Sequence, residues 1–230
     1  MNGKSVVVVG GSRGLGLGVA GAARAAGARV TVVARGISPA DGVPGDATDE
    51  LFAAKVLAEQ RPDLLVITAG AAPEMLPLTG HTWESFSVNW HSDVRIAFTW
   101  LRAALTLPLA PGSRVVVFGS AAELRGSPLS GGYAGAKATV RLIAGYAAGE
   151  ARDLGITVTT VLPGITPGTG VGETAIRAYA KASKISRDEF TARLTAAATP
   201  ESTGRDILAL TGTDPAYLID ADGWRPLPAA

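Results

Sequence analysis

The chain has 230 residues, of which 47% are hydrophobic and 18% are charged, and its formal net charge is +1. This composition suits one α/β domain with a large core, and the balanced charge, without a run of lysine or arginine, argues against a nucleic-acid or anionic-membrane surface. The absence of cysteine excludes disulfides, thiolate catalysis and cysteine metal sites. No apolar run approaches the ~18 residues of a membrane span, so we expect one cytoplasmic domain over residues 1–230.

Short β-branched runs alternate along the chain with alanine-rich stretches of helical length. The strands are continuously apolar, which predicts burial on both faces and therefore a parallel sheet covered by helices. This alternation is typical of a single-domain, doubly wound α/β fold with helices on both faces. The predicted strands are Ser5–Val9, Arg29–Ala34, Leu64–Thr68, Arg114–Gly119, Ile156–Val161 and Ala216–Ile219. The predicted helices cover about Gly14–Ala26, Asp49–Gln60, Trp83–Leu107, Gly131–Leu154 and Glu201–Leu210.

The connection after the second predicted strand is unusually short. Residues 36–45 are rich in proline and glycine and contain no stretch of helical length. A parallel crossover usually needs a dozen or more residues and a helix. We therefore expect a loop to make this crossing, with at most a short strand around Val43.

A glycine-rich turn follows the first predicted strand. Gly10, Gly14 and Gly16 stand after the apolar run Val6–Val9 and open a predicted helix. Glycines here let the backbone turn tightly and approach a ligand, while the helix N-terminus offers free N–H groups and a positive dipole end to a pyrophosphate. The pattern alone also fits a purely structural turn, but its place between a strand and a helix favours a dinucleotide site.

The end of the second strand indicates which dinucleotide is bound. NAD-binding sites place an acidic residue there for the ribose 2′-hydroxyl, whereas a 2′-phosphate requires arginine. This strand ends in Ala34-Arg35 without an acid, and Arg13 lies in the glycine loop. Two guanidiniums can share a phosphate, so NADP(H) is favoured over NAD(H), the alternative being two solvated surface arginines. Asp46 is expected to accept a hydrogen bond from an adenine amino group or to cap the next helix, with Asp49 the stronger cap candidate.

A second group of residues lies in the middle of the chain. Tyr133 and Lys137 are four residues apart, so on a helix they occupy one face, one turn from each other. An ammonium beside a phenol favours the phenolate and lowers the pKa of the tyrosine from its usual value of about 10. Ser120 lies thirteen residues before the tyrosine, at the end of an apolar run, and can bind the oxygen on which the phenol acts. Together with the glycine-rich turn, these residues predict a site for hydride transfer.

These motifs resemble those of the short-chain dehydrogenase/reductase family, and the resemblance extends over nearly the whole chain. It implies a Rossmann-like sheet, a nicotinamide cofactor and the interconversion of a carbonyl and an alcohol on a small-molecule substrate. It also implies a homodimer or homotetramer that assembles through the helices beginning near Trp83 and Gly131. The matching pieces, in family order, are Gly10–Gly16, Asp46, Thr68-Ala69-Gly70, Asn89, Ser120, Tyr133 with Lys137, and Pro163-Gly164.

The resemblance implies a role for each catalytic residue. Tyr133 would be the general acid in reduction and the base in oxidation, while Lys137 would lower its pKa and hold the nicotinamide ribose. Ser120 would orient the substrate oxygen and stabilise its developing charge. Asn89 would kink its helix and bind a water that links the lysine to solvent as a proton relay. The residues implied to bind the cofactor are Gly10, Ser12, Arg13, Gly14, Leu15, Gly16, Arg35, Asp46, Ala47, Ala69, Gly70, Tyr133, Lys137 and, along the nicotinamide, Pro163, Gly164 and Ile165.

Two features depart from the family pattern. Where the family has Asn-Asn-Ala-Gly after a central strand, this chain has Ile67-Thr68-Ala69-Gly70, and the threonine lacks the reach of the amide. The short segment 36–45 omits a helix, and this omission is expected to open the adenine pocket and weaken cofactor binding.

Residues 166–198 stand where the family keeps its substrate lid, and a helix is predicted over Ala175–Ala182.

Three other functions compete with an NADP-dependent oxidoreductase. An NAD-preferring dehydrogenase is disfavoured by the end of the second strand. A non-catalytic dinucleotide-binding sensor has no need of the serine, tyrosine and lysine together, and a methyltransferase on a similar sheet leaves the tyrosine–lysine pair unexplained. His81 and His91 lack the spacing of metal ligands, so no metal site is expected.

Overall fold

Eight strands form one sheet in the computed structural model, which describes residues 1–194 and 197–227. The strands are β1 (Ser5–Val9), β2 (Arg29–Ala34), β3 (Val43–Pro44), β4 (Leu64–Ile67), β5 (Arg114–Phe118), β6 (Thr157–Pro163), β7 (Ala216–Asp220) and β8 (Gly223–Pro226). Their order in the sheet is β3-β2-β1-β4-β5-β6-β7-β8. Every neighbouring pair is parallel except β7 and β8. The predicted doubly wound α/β fold is therefore confirmed.

Helices connect the strands and cover the sheet. They are α1 (Gly14–Ala25), α2 (Glu50–Gln60), α3 (Trp83–Asn89), α4 (Arg95–Thr106), α5 (Ala122–Arg125), α6 (Tyr133–Asp153), α7 (Gly170–Ala182), α8 (Arg187–Ala192) and α9 (Pro200–Ala209). A 3₁₀ turn covers Leu78–Gly80, and a π-helical segment covers Trp90–Val94 between α3 and α4. Within the described ranges, no helix is long and apolar enough to cross a membrane.

Each face of the sheet carries its own hydrophobic core. Val7 and Val9 of β1 belong to the core formed with α2, α4 and α6, whereas Val6 and Val8 belong to the core formed with α1 and α9. All four valines are fully buried. Successive side chains of a strand point to opposite faces, so helix layers on both faces require a continuously apolar strand. The prediction that the β-branched runs are strands buried on both faces is confirmed. The six predicted strands are correct to within two residues at each end.

A loop makes the crossing from β2 to β3, as predicted from the shortness of residues 36–45. β3 comprises only Val43 and Pro44, which pair in parallel with the end of β2. Ile37 in the loop packs against the core on the α1 side and covers part of the sheet there. The sheet therefore ends at this edge in a two-residue strand whose proline has no N–H to offer a further strand.

The C-terminal hairpin corrects the predicted strand set, which contains neither β8 nor an antiparallel pair. β7 and β8 are joined by two residues, Ala221 and Asp222. Gly223 follows these two turn residues with φ 104°, a conformation that glycine adopts most readily, and an Asp-Gly pair is frequent at hairpin turns. Tyr217 and Trp224 meet edge to face across the pair, with ring centroids 5.2 Å apart. The aspartate–glycine dipeptide is thus the signal from which the hairpin could have been predicted.

Candidate active site

The predicted functional motifs gather at the carboxyl ends of four neighbouring strands. The glycine-rich turn follows β1, Gly70 follows β4, Ser120 follows β5, and Pro163 ends β6. These strands are adjacent and parallel, so their carboxyl ends meet at one edge of the sheet. In open α/β sheets this edge is where ligands bind.

The glycine-rich turn packs directly against the end of β4. Gly10 has φ 88°, and a Cβ at this position would lie 2.6 Å from the backbone nitrogen of Ala69. A Cβ at Gly16 would collide with the carbonyl oxygen of Gly10. Thr68 Oγ1 donates a 2.9 Å hydrogen bond to the Val9 carbonyl and so braces β4 against β1. The threonine that replaces the family's asparagine therefore still links the two central strands.

The N-terminus of α1 is open to an anion. Arg13 is the N-cap residue, and its side chain makes no capping hydrogen bond. The backbone N–H groups of the first turn are therefore not hydrogen-bonded to any side chain in the described structure. Gly14 begins the helix with φ 55°. Ser12 and Arg13 are exposed, and Leu15 is half-buried. A pyrophosphate can therefore approach the backbone here, as the motif predicts.

The end of β2 presents an exposed arginine near a hydrogen-bonded aspartate. Asp46 accepts from Thr48 N and Thr48 Oγ1, each at 2.9 Å, and these bonds lower the pKa of its carboxyl. The charges of Arg35 and Arg95 lower that pKa further. Asp49 caps α2 by accepting from the backbone N–H three residues later, so the predicted cap is confirmed. Ala47 is buried, and its carbonyl accepts from an indole N–H of α4 at 2.9 Å.

Tyr133 and Lys137 lie side by side at the start of α6, one turn apart. Lys137 Nζ is 5.8 Å from the ring centroid of Tyr133. The ammonium is buried and donates a 3.1 Å hydrogen bond to the carbonyl of Phe118, the last residue of β5. This bond ties the start of α6 to the end of β5. The helix begins at Tyr133 itself, two residues after the predicted start.

Ser120 is fixed against the end of β6 by the backbone on either side of it. Gly119 N donates to the Val161 carbonyl, and Ala121 N donates to the Pro163 carbonyl, both at 2.9 Å. Ser120 is 8% exposed. The structure thus brings the serine to the strand end that also carries Pro163, and places it two residues beyond the carbonyl that holds the lysine. The neighbouring Gly164 is exposed, and Ile165, Ala69 and Gly70 lie at least partly open on the same edge.

The predicted helix Trp83–Leu107 is helical without a gap from Trp83 to Thr106, but it is not a regular α-helix throughout. A π-helical segment, Trp90–Val94, begins directly after Asn89, and π turns of this kind are frequent at functional sites. Asn89 is fully buried, and its amide nitrogen donates to the Ala71 carbonyl at 2.8 Å. Its amide oxygen has no hydrogen-bond partner among the described residues. The irregularity expected at Asn89 is therefore present, but no direct hydrogen bond joins Asn89 to the lysine in the described structure.

An aspartate that the motifs do not identify lies between Asn89 and Lys137. Asp93 Oδ2 is 3.1 Å from Lys137 Nζ, and Asp93 Oδ1 is 3.2 Å from the amide nitrogen of Asn89. Burial lowers the pKa of Lys137, but the charges of Asp93 and Tyr133 and the hydrogen bond that the ammonium donates to Asp93 outweigh it, so the pKa is raised. The only signal in the sequence is that Asp93 follows Asn89 by one helical turn, and acidic residues on helices are usually exposed.

A second buried ion pair lies behind the serine. Glu123 of α5 has a fully buried side chain that pairs with Arg141 of α6. Burial raises the pKa of the Glu123 carboxyl, although the charge and hydrogen bond of Arg141 act in the opposite direction. The backbone N–H of Glu123 donates to the carbonyl of Ser120 at 3.1 Å. The pair therefore supports the segment that presents the serine.

The segment predicted as a lid, residues 166–198, contains α7 and α8, while residues 195–196 lie outside the described ranges. The helix predicted over Ala175–Ala182 is the second half of α7. Tyr179 of α7 makes a 2.7 Å hydrogen bond between its hydroxyl and Ser127 Oγ, in the loop between Ser120 and Tyr133. Its ring stacks on a phenylalanine of α8, with centroids 6.2 Å apart. The two helices therefore contact each other and the loop between Ser120 and Tyr133.

Comparisons with known proteins agree with this arrangement. The family model described as short chain dehydrogenase matches residues 4–180. The chain is 32% identical over 171 residues to the 3-oxoacyl-[acyl-carrier-protein] reductase MabA of Mycobacterium avium, an alignment that covers 70% of this chain and 66%, just under two thirds, of that protein. Two solved structures share the fold at lower identity. A short chain dehydrogenase from Mycobacterium avium has a TM-score of 0.78 at 20% identity, covering 100% of this chain and 86% of that chain.

The second solved structure is an actinorhodin polyketide ketoreductase with NADPH. It has a TM-score of 0.76 at 22% identity and covers 91% of this chain and 90% of that chain. At these identities the two structures support the fold alone. The family model, by contrast, matches well over half of the residues and includes the tyrosine and lysine of α6. The chain therefore belongs to the short chain dehydrogenase family.

Proposed function

We propose that this protein is an NADP-dependent oxidoreductase that transfers a hydride between nicotinamide and the carbonyl or alcohol carbon of a small molecule. The observation that carries the proposal is the buried Lys137 ammonium, 5.8 Å from the ring centroid of Tyr133 and bonded to the strand end that presents Ser120. Burying an ammonium is costly, and a lysine at the surface would avoid this cost. The names of two relatives, a 3-oxoacyl reductase and a polyketide ketoreductase, support ketone reduction as the chemical class.

The chain's own residues manage the proton and the substrate oxygen. In reduction, Tyr133 donates its hydroxyl proton to that oxygen, and in oxidation the phenolate removes it. The positive charge of Lys137 favours the phenolate, and the Ser120 hydroxyl donates a hydrogen bond to the oxygen as its charge develops. The nicotinamide cofactor, when bound, supplies or accepts the hydride. The unpartnered amide oxygen of Asn89 is available to a water of the predicted proton relay.

The residues at the strand edge fit a dinucleotide. The close packing at Gly10 and Gly16 lets the backbone turn sharply, and the uncapped N-terminus of α1 suits a pyrophosphate. Arg13 and Arg35 are both exposed, and neither forms an ion pair within the described ranges. Beside Asp46 lies an open recess of about 580 Å³. We assign the arginines to a 2′-phosphate and the recess to the adenine end, where the loop 36–45 leaves the sheet edge thinly covered.

Cofactor preference tests this assignment. NADPH should bind more tightly than NADH when the protein is titrated with each and nicotinamide fluorescence is followed. Arg35→Ala should weaken NADPH binding by roughly ten- to a hundredfold, because a hydrogen bond to a charged group contributes about 1.5–3 kcal/mol. The same substitution should leave NADH binding unchanged. Arg13→Ala should act in the same direction.

The control is Arg24→Ala, because Arg24 is also exposed but lies in the last turn of α1, at the end remote from the glycine loop. It should bind both cofactors as the wild type does. Tighter binding of NADH would overturn the 2′-phosphate assignment and leave the NAD-preferring alternative. If neither cofactor binds, the oxidoreductase proposal itself fails, because no hydride carrier remains.

We further propose that residues 166–198 close over the substrate. The hydrogen bond between Tyr179 and Ser127 supports this, since it joins α7 to the loop that leads to Tyr133. Thr169, which caps α7, lies close to the glycine-rich turn, because a Cβ at Gly14 would be 3.6 Å from it. The segment thus spans from the cofactor end to the catalytic end of the site, as a substrate lid must.

We also propose a homodimer or homotetramer built on α4 and α6. Large apolar side chains are exposed on both helices: Phe98 is 48% exposed, Leu142 55% and Tyr146 63%. Gly145 and Gly149 of α6 have open space where a Cβ would lie, which would allow a partner helix to approach closely. Leu142→Glu should therefore shift the protein to a smaller species in sedimentation velocity. Leu51→Glu is the matched control, because Leu51 is 84% exposed on α2 and should leave assembly unchanged. A wild-type protein that sediments as a monomer would contradict this proposal.

A further inference from the structure

A buried carboxylate that the motifs do not assign lies beside the lysine of the site. Asp93 Oδ2 and Lys137 Nζ are 3.1 Å apart, and the two side chains are 2% and 8% exposed. A buried charge is costly unless it is paired and hydrogen-bonded, and replacing such a pair by apolar side chains is often neutral or stabilising. Stability is therefore a weak reason for placing an aspartate here.

The second oxygen of the carboxylate is held from three directions. Asp93 Oδ1 accepts from Ala71 N at 2.9 Å, from Ser92 Oγ at 2.6 Å and from the amide nitrogen of Asn89 at 3.2 Å. These donors come from the segment after β4 and from both sides of the α3 end. The carboxylate cannot rotate without losing them, so its other oxygen stays directed at the ammonium.

The backbone around the carboxylate is shaped to admit it. A Cβ at Gly70 would lie 2.6 Å from Asp93 Oδ2, so only glycine leaves this space. The π-helical segment Trp90–Val94 carries the aspartate and changes the direction of its side chain relative to a regular helix. Three local features, a glycine, a helix irregularity and a closed set of donors, thus converge on one ion pair.

We propose that Asp93 is a positioning residue that acts through Lys137 and sets the position and the proton affinity of the Tyr133–Lys137 pair. It holds the ammonium in place at the end of β5 and keeps it charged in a buried site. This proposal rests on the proposed function, in which the phenol of Tyr133 exchanges a proton with the substrate oxygen. The proposal gives Asn89 a second role, because its amide nitrogen holds the carboxylate while its amide oxygen is available to the predicted relay water.

The charges that face the ammonium come from three elements. Asp93 belongs to the π-helical segment, Tyr133 to α6, like the lysine itself, and Glu123 to α5. The charge of Glu123 is matched by Arg141. The Phe118 carbonyl adds a dipole from β5. Asp93 is therefore the closest full negative charge and the one whose removal should change the titration of the pair most.

The sign of that change follows from proton counting. The enzyme form that accepts a proton from an alcohol is the one in which the Tyr133–Lys137 pair has lost one proton. That proton can come from the phenol or from the ammonium, and the pair then carries the same total charge in both cases. Removing the negative charge of Asp93 makes this first loss easier in either case, so the apparent pKa of the pair falls. In Asp93→Asn the form with a neutral lysine and a protonated phenol competes with the form that carries the reactive phenolate. This competition lowers the maximal rate.

The test is Asp93→Asn in the full-length protein, with kcat/KM for NADP-linked alcohol oxidation measured across pH. We expect the rising limb of the profile to move to lower pH by about 1 unit, together with a lower plateau. A purely structural role would lower the plateau and leave the midpoint where it is. An unmoved midpoint, or one displaced to higher pH, overturns the proposal. Should Asp93→Asn not fold, Asp93→Ser, which is also neutral, carries the same expectation.

The matched control is Asp153→Asn, because Asp153 is exposed at the far end of α6. It removes one carboxylate from the same helix and should leave the whole pH profile unchanged. A shift of equal size in this control would overturn the proposal, since net charge alone would then explain the result.

A second readout separates this inference from the proposed function. The ultraviolet absorbance of tyrosinate is titrated in the protein and in Tyr133→Phe, so that the difference isolates Tyr133 from the other tyrosines. The ionisation midpoint of Tyr133 should differ between the wild type and Asp93→Asn, whether or not a substrate has been found. Identical midpoints overturn the inference, while a protein that shows the shift but no turnover with any carbonyl fails only the proposed function.

Discussion

Tyr133→Phe is expected to lower the rate of carbonyl reduction by about 10²- to 10⁴-fold while NADPH binding survives. The substitution removes only the hydroxyl, and a positioned general acid contributes about that factor. The ring and the helix start remain, and Lys137 keeps its bonds to Asp93 and Phe118, so the cofactor site should be intact. The measurement is kcat for NADPH oxidation with a reactive ketone, alongside a fluorescence titration with NADPH.

Tyr146→Phe provides the matched control for this prediction. Tyr146 lies on the same helix and is 63% exposed, so the loss of its hydroxyl should change neither rate nor binding. Wild-type turnover in Tyr133→Phe would show that another group transfers the proton, and the assigned mechanism would be wrong. Loss of NADPH binding together with turnover would instead point to a damaged cofactor site.

The residues that sequence spacing identifies are those whose position depends on regular structure. Tyr133 and Lys137 share a helix face because they are four residues apart, and Ser120 follows β5, which is apolar after its first residue. Regular elements transmit sequence spacing directly into space. For the same reason the strands were predictable, since a buried parallel strand needs an unbroken apolar run. Their assembly at one sheet edge follows from the strand order.

The residues that sequence spacing misses depend on irregular structure or on long-range pairing. Asp93 reads as an exposed helical acid, and only the π-helical segment and the space at Gly70 turn it inwards. Glu123 lies in the four-residue helix α5, which is too short to show a helical pattern in the sequence, and its partner Arg141 belongs to another helix. Neither pair has a local signature, because each joins elements that meet only in the folded sheet. Residue-type statistics place both acids in solvent.

The buried carboxylates of Asp93 and Glu123 differ in the groups that stabilise their charge, and this difference indicates different roles. Asp93 has a full set of donors and a paired ammonium, so its charge is stabilised in place. Glu123 pairs with one guanidinium, which offsets only part of the effect of burial on its carboxyl. The first arrangement suits a group that must stay charged beside a proton-transfer site. The second depends on a single partner and is therefore sensitive to its loss.

Arg141→Met is expected to lower the free energy of unfolding by about 3 kcal/mol at neutral pH. Removing one partner of a buried pair leaves the other charge uncompensated, at a cost of about 3–5 kcal/mol. We expect the lower end of that range because the Arg141 side chain is 32% exposed, whereas that of Glu123 is fully buried. Urea unfolding measures the loss, and Arg152→Met, at an exposed arginine in the last turn of α6, should cost far less.

The same variant should regain stability in acid. The pKa of Glu123 is raised in the folded protein by burial, so the folded state binds the proton more tightly than the unfolded chain does. Stability linked to this group is therefore present below the unfolded pKa of about 4.3 and is lost as pH rises through the folded pKa. Without Arg141 the folded pKa rises further, so the loss in Arg141→Met should shrink towards about pH 4 and be greatest at neutral pH. Glu123→Gln in the Arg141→Met background should restore more than half of the loss, because no buried charge remains. A double variant as unstable as the single one would show that Arg141 stabilises the protein by packing rather than by neutralising Glu123.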